Sequence, residues 1–223
     1  MPFRDRSEAG QMLAVRLRAY ARRYDTIVLA LPRGGVPVGF EIAKALAAPL
    51  DVFIVRKLGL PWHEELAMGA TATGRVRVLN DDVIKAFAVT KQMIEAVAAK
   101  EEHELERRER LYRGDRPPVN VTGRIAILVD DGVATGSTMR AAVRALKLQN
   151  PARIIAAVPV AAVPTCDELK HEVDEIVCAV SPEPFYAVSQ YYDDFSQTSD
   201  AEVEELLKRA SKADAQLHAY PHA

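Results

Sequence analysis

Ile127-Leu128-Val129-Asp130-Asp131-Gly132-Val133-Ala134-Thr135-Gly136-Ser137-Thr138 is the stretch whose reading decides the fold. Residues 125–129 are continuously apolar, the pattern of a strand buried on both faces of a parallel sheet. Two adjacent acids follow, then a turn of small residues, then a helix. Ligands of open α/β sheets bind outside the carboxyl ends of the strands, which is where this turn would lie. Gly132, Ala134, Gly136, Ser137 and Thr138 let the backbone approach a ligand closely. The helix behind them begins with N–H groups that have no intrahelical partner, which makes an anion site suited to phosphate. Asp130 and Asp131, placed just before this cradle, suit hydroxyl groups or a divalent cation. A ligand with both features is a sugar phosphate.

Working outward, the chain alternates. Ser7 reads as the N-cap of a helix reaching about Arg22, and 26–31 as a first buried strand ending in Pro32-Arg33-Gly34-Gly35. A helix from Val36 to about Ala47 and a strand from Asp51 to Val55 follow, the latter delivering Arg56 and Lys57 to the same sheet edge. This order implies parallel strands with right-handed crossovers. The alternation then stops. Residues 66–79 read as a hairpin turning at Gly74-Arg75, and 82–113 as helical, with Thr90 capping the longer part. After the signature come a helix (138–148), a strand (153–160), a helix after Pro164, a strand (175–180) and a last helix signalled by Ser199-Asp200, with a frayed tail beyond Ala210. The fold class is α/β, an open parallel sheet of about five strands flanked by helices. Residues 1–223 form one domain, and 61–116 an insertion made of the hairpin and the long charged helix.

Val129 to Thr138 resembles the phosphoribosyl pyrophosphate (PRPP) signature of the type I phosphoribosyltransferases. The resemblance implies that Ala134, Thr135, Gly136, Ser137 and Thr138 hold the 5-phosphate of PRPP. It also implies that Asp130 and Asp131 are catalytic, binding the ribose hydroxyls directly or through Mg²⁺, with or without water between. Leu31-Pro32-Arg33-Gly34-Gly35 is similar to the pyrophosphate loop of purine enzymes, where Arg33 and the Gly34 and Gly35 amides would meet the leaving group. There the two glycines would permit backbone angles other residues avoid. Arg56-Lys57-Leu58-Gly59-Leu60-Pro61 is similar to the Arg-Lys segment of adenine-type enzymes, so Lys57 would neutralise departing pyrophosphate. Phe185 and Tyr186 stand where purine enzymes stack the base. The stretch 171–207 has no Lys or Arg, whereas 6-oxopurine enzymes place a Lys near there, which weighs against hypoxanthine or guanine. The hairpin lies where the family carries its mobile loop. The implied reaction transfers ribose 5-phosphate from PRPP to a nitrogen acceptor, in the first instance a nucleobase, with loss of pyrophosphate. A PRPP-sensing regulator, a nucleotide- or nucleoside-cleaving enzyme and a structural protein are the alternatives. A homodimer is common in the family.

Composition narrows the partners. Of 223 residues 49% are hydrophobic, ample for a core, while 29 Lys and Arg against 31 Asp and Glu leave a net charge of −2. Bulk charge therefore recommends neither nucleic acid nor an anionic membrane. Arg107, Arg108, Arg110, Arg113 and Arg116 could form an RNA-binding stripe, but the interleaved acids of 101–110 favour a solvated, salt-bridged helix face. Cys166 and Cys178 read as reduced, one of them buried in a late strand. The histidines, His63, His171, His218 and His222 among them, show no metal-site grouping. With no apolar leader or bilayer-length run, the expected location is the cytoplasm.

Overall fold

A computed structural model describes residues 3–114 and 116–219, with side chains through residue 215. In chain order its elements are α1 (Arg6–Arg16), β1 (Thr26–Ala30), α2 (Gly35–Leu46), β2 (Leu50–Val52), β3 (Val55–Leu60), β4 (His63–Ala72), β5 (Val76–Leu79), α3 (Asp81–Ala86), α4 (Lys91–Arg113), β6 (Ile125–Val129), α5 (Ser137–Lys147), β7 (Arg153–Val160), α6 (Val163–Leu169), β8 (Glu175–Val180) and α7 (Asp200–Ala219). Five strands form a parallel sheet in the order β2-β1-β6-β7-β8. Every residue of β1 and β6 is buried, because helices cover both faces. That double burial is why these strands read as unbroken apolar runs. No described helix is long and apolar enough to cross a membrane.

Several local expectations change. The cap of α1 is Asp5, which accepts from the Glu8 N–H at 2.8 Å while the Glu8 side chain accepts the Arg4 N–H. This reciprocal cap starts the helix one residue ahead of Ser7, and α1 ends at Arg16, followed by a short 3-10 turn at Arg18–Tyr20. The second strand stops at Val52. The Phe53 N–H still pairs with the Ala30 carbonyl, but the Ile54 N–H turns to Thr73 Oγ1 at 3.0 Å, and the chain leaves the parallel sheet. Arg56 and Lys57 thus lie inside β3 of a separate antiparallel sheet, β3-β4-β5, and not in a loop at the main sheet's edge. The turn at Gly74-Arg75 stands, with φ of +87° and +57°. Helix α7 continues past Ala210 to Ala219, so no fraying begins there.

Helix α4 ties this second sheet to the first. Ile94, Ala98 and their neighbours pack on Leu58, Leu60 and Met68. On its charged side, Glu101 pairs with Arg56, Glu102 and Glu95 with Arg77, and Glu104 with Arg107 and Arg108. Arg113 is different: it is buried, donating from Nε to Asp51 Oδ1 at 2.8 Å and from Nη2 to the Val52 carbonyl. Arg113 therefore drops out of any RNA-binding stripe. Of the cysteines, it is Cys166 in α6 that is buried, while Cys178 in strand β8 is half-buried; both are free thiols.

Candidate active site

At the carboxyl end of β6 the chain makes a tight turn whose polar groups are sorted by direction. The Val133 N–H bonds the Val160 carbonyl, and the Val133 carbonyl takes the Ala162 N–H, which anchors the turn to β7. The Ala134 carbonyl accepts from Thr165 Oγ1 and the Thr135 carbonyl from Arg140 Nη2, both at 2.6 Å. Arg140 is itself held by Glu168 at 2.6 Å. The carbonyls of the loop are tied back into the protein, whereas the amides of 134–136 find no backbone acceptor among the described residues. The first amides of α5 lack intrahelical partners as well. Gly136 has φ +72°, a left-handed conformation that costs other residues about 1–2 kcal/mol. The result is a run of N–H donors without backbone acceptors at a helix N-terminus, flanked by the Thr135 and Ser137 hydroxyls.

The acid pair stands beside this row. The Asp130 carboxylate accepts the Asp131 N–H through Oδ1 at 2.9 Å, and Asp131 accepts Arg6 Nε through Oδ2 at 2.8 Å. Asp130 Oδ2 and Asp131 Oδ1 receive no donor from the described residues. Desolvation, and then the negative charge of Asp131, push the Asp130 carboxyl well above the ordinary carboxylate range. The Asp131 carbonyl accepts the Tyr192 hydroxyl at 2.5 Å; burial first, then Asp131, raise the pKa of that phenol.

The loop after β1 comes up against these acids. Gly34 and Gly35 both have close neighbours: a side chain on Gly34 would overlap the Asp131 carboxylate, and one on Gly35 would lie 2.6 Å from the Val129 carbonyl oxygen. Neither residue has a positive φ. Their requirement is therefore close approach, and not the unusual backbone angles read from the sequence. The Gly35 N–H is also taken by the Leu31 carbonyl at 3.0 Å, leaving Gly34 as the glycine whose amide has no backbone acceptor among the described residues. The Pro32–Arg33 peptide is cis. Arg33 reaches Asp200 at 3.7 Å, and Asp200 also accepts from Tyr112 at 2.6 Å.

Lys57 lines one cleft with Ser137, Arg140 and Arg144, and a second with Thr138 and the α4 residues Met93 and Val97. It thus shares walls with the first turns of α5 although it sits in a different sheet. Phe185 stacks on Tyr191 with ring centroids 5.6 Å apart, and Tyr186 is 74% exposed. Their segment meets the acid turn through Val188, which packs against Gly132, and through Tyr192.

The phosphoribosyl transferase domain model matches residues 7–196. The chain belongs to the phosphoribosyl transferase family. Proteins from two strains of Mycobacterium tuberculosis, provisionally named phosphoribosyl transferases, are 45% identical over 217 residues, 97% of this chain. The chain spans about half the length of these relatives, 49%. A crystal structure from Thermus thermophilus is 40% identical, with a TM-score of 0.83, covering 94% of this chain and 99% of that one.

For a phosphoribosyl transferase, the sequence reading leaves out three sets of groups that touch the candidate site. Arg6 holds Asp131, Asp200 holds Arg33, and Arg140 with Thr165 hold the carbonyls of the amide loop. Arg6 and Asp200 lie outside the matched segment 7–196. Arg140 alone carries a local signal, since it lies one turn after Gly136 on the helix that opens the loop.

Proposed function

We propose that the chain transfers the ribose 5-phosphate of PRPP to a nitrogen acceptor, releasing pyrophosphate. One observation carries this reading: unpartnered amides at the start of α5 stand beside two carboxylates, each of which keeps one oxygen without a donor from the described residues. A phosphate suits the first feature and a vicinal pair of hydroxyls the second. Ribose 5-phosphate carries both.

In this reading the amides of 134–138 and the hydroxyls of Thr135, Ser137 and Thr138 hold the 5-phosphate. Asp130 Oδ2 and Asp131 Oδ1 accept from the ribose hydroxyls and oppose positive charge developing on the ring. Arg33, the Gly34 amide and Lys57 receive the pyrophosphate. Gly35 serves by leaving room. The acceptor nitrogen donates its lone pair to C1 of the ribose as the C1–O bond to pyrophosphate breaks, and the nitrogen then loses its proton. Catalysis is positioning and charge stabilisation. Phe185 and Tyr186, on the segment that meets the acid turn through Val188 and Tyr192, would receive the acceptor nucleobase.

The residues suit Mg²⁺. Two adjacent carboxylates are hard oxygen donors, and their mutual repulsion is what a divalent cation relieves. Among the described residues, no group of three or more His, Cys, Asp or Glu could hold a metal by itself. Such an ion would complete its shell from substrate oxygens, as Mg²⁺ commonly does. When bound, it would supply charge neutralisation to the leaving pyrophosphate, with Asp130 and Asp131 as its protein ligands. The insertion at 61–116 is proposed as the wall behind Lys57.

Calorimetric titration with PRPP and Mg²⁺, followed by an acceptor screen for pyrophosphate release, tests the assignment. Wild type binds, and Asp130→Asn with Asp131→Asn loses binding while still unfolding cooperatively. A double variant that binds and turns over like wild type would sink the assignment.

A further inference from the structure

Arg6 comes from the first turn of α1, ahead of the family-matched segment, yet its guanidinium is fixed on several sides. Nε donates to Asp131 Oδ2 at 2.8 Å and Nη1 to the Ser196 carbonyl at 2.7 Å. The group lies 4.0 Å from the centre of the Phe195 ring and 5.9 Å from that of Tyr192. Its side chain is 11% exposed and that of Asp131 16%. A solvated ion pair with these partners would count for little. A half-dry one with a planar fork held over an aromatic face is a geometric constraint, and Lys cannot reproduce it.

The constraint acts on one particular rotation. Asp131 sits between Asp130, which repels it, and Gly34, which has no side chain to hold it. By taking Oδ2, Arg6 leaves Asp131 Oδ1 without a donor from the described residues, as Asp130 Oδ2 is, so that each of the two interacting carboxylates can offer one oxygen to a ligand. We infer that Arg6 is a positioning residue that orients Asp131 for the ribose of PRPP, an inference that rests on the transferase reading above. Removing Arg6 frees Asp131 to rotate, and the site loses one of its two hydroxyl acceptors. The pyrophosphate loop, which Arg6 does not touch, keeps its shape.

The test is a thermodynamic cycle on the whole chain, with Mg²⁺ present for PRPP and chelated for inorganic pyrophosphate, so that the second ligand does not draw on the acid pair. Dissociation constants for PRPP and, separately, for inorganic pyrophosphate are measured by calorimetry on wild type, Arg6→Ala, Arg6→Lys, Asp131→Asn and the Arg6→Ala/Asp131→Asn double variant. Losing a charge-assisted hydrogen bond should weaken PRPP binding by about ten- to a hundredfold in Arg6→Ala, with Arg6→Lys in between. Pyrophosphate affinity should stay within about twofold, which a general loss of structure would not allow. The double variant should be no worse than Asp131→Asn alone, because Arg6 acts through Asp131. Additive losses, or Arg6→Ala binding PRPP like wild type, overturn the inference and leave the transferase assignment standing. Should Arg6→Ala fail to fold, the same cycle is run with Arg6→Lys under the same criteria. A wild-type protein that does not bind PRPP overturns the assignment and this inference together.

Discussion

Replacing Gly34 by Ala sets two well-defined effects against each other. Gly34 has φ −60° and ψ −33°, an ordinary helical conformation at the start of α2. On backbone grounds alone, Ala should stabilise this position by up to about 1 kcal/mol. The added methyl, however, would lie within 2.5 Å of Asp131 Cγ and overlap its Oδ2. That oxygen is pinned by Arg6. Overpacking costs about 1–3 kcal/mol, and breaking the Arg6 bond to avoid it costs about 1.5–3 kcal/mol. The clash wins, for a net loss of up to about 3 kcal/mol and a melting temperature lower by up to about 12 °C for a chain of this size. PRPP affinity, titrated with Mg²⁺, should fall at least about tenfold as Asp131 is displaced. The decisive comparison repeats the substitution in an Asp131→Ala background. There the overlap is gone, and Gly34→Ala should turn from destabilising to neutral or stabilising. Thermal melts of the four proteins give the sign. A Gly34→Ala protein that is as stable as wild type and binds PRPP normally would refute the proposed contact between the two loops.

Other outcomes follow from the same packing. Arg113→Met strands the buried Asp51 carboxylate and should cost about 3–5 kcal/mol in urea unfolding at unchanged slope, whereas Arg108→Met on the solvated side of the helix should cost under about 1 kcal/mol; equal losses would show that burial does not separate them. Burial pushes the Cys178 thiol up to about 11. The folded protein thus favours the protonated form, so Cys178 contributes stability below its ordinary value of 9.0 that is lost as pH rises from there toward 11. Iodoacetamide labelling of Cys178, followed by mass spectrometry, should accelerate steeply across that window. Rapid labelling at pH 7.5 (roughly neutral, where the thiolate is scarce) would contradict the burial argument.

What was legible in the sequence was what local chemistry determines. Strands β7 and β8 fall at 153–160 and 175–180 as read, because apolar runs between polar turns leave little choice. The Thr90 cap is also as read, since its hydroxyl accepts from Met93 whatever lies elsewhere. Strand β3 was hidden because Arg56, Lys57 and Gly59 interrupt its apolar pattern, and its partner β4 comes from later in the chain. Asp51, a lone acid in the apolar strand before it, needs a buried cation. That cation is Arg113, 62 residues away, masked among exposed arginines of the same helix. At the candidate site the amide loop and the acid pair were readable, but the reason for Gly34 and Gly35 was not. It depends on where β6 passes, and no local angle records that.

Arg6 shows why the missing part is of one kind. In sequence it sits within Arg4-Asp5-Arg6, which reads as a charged end. It becomes a buried clamp only because Phe195, Tyr192 and Ser196 arrive from the other end of the domain and Asp131 from the middle, 125 residues along. Asp200 relates to Arg33 in the same way, joining the loop after β1 to α7 and, through Tyr112, to α4. The groups proposed to meet the 5-phosphate and the ribose, with Arg33 and Gly34, are thus laid out by two short strand-to-helix turns, while Lys57 in β3 and the groups that orient them come from remote segments. Substitutions in the turns should therefore weaken PRPP binding most. Substitutions in the remote partners should grade it, with each loss passing through the acid or arginine that the partner holds.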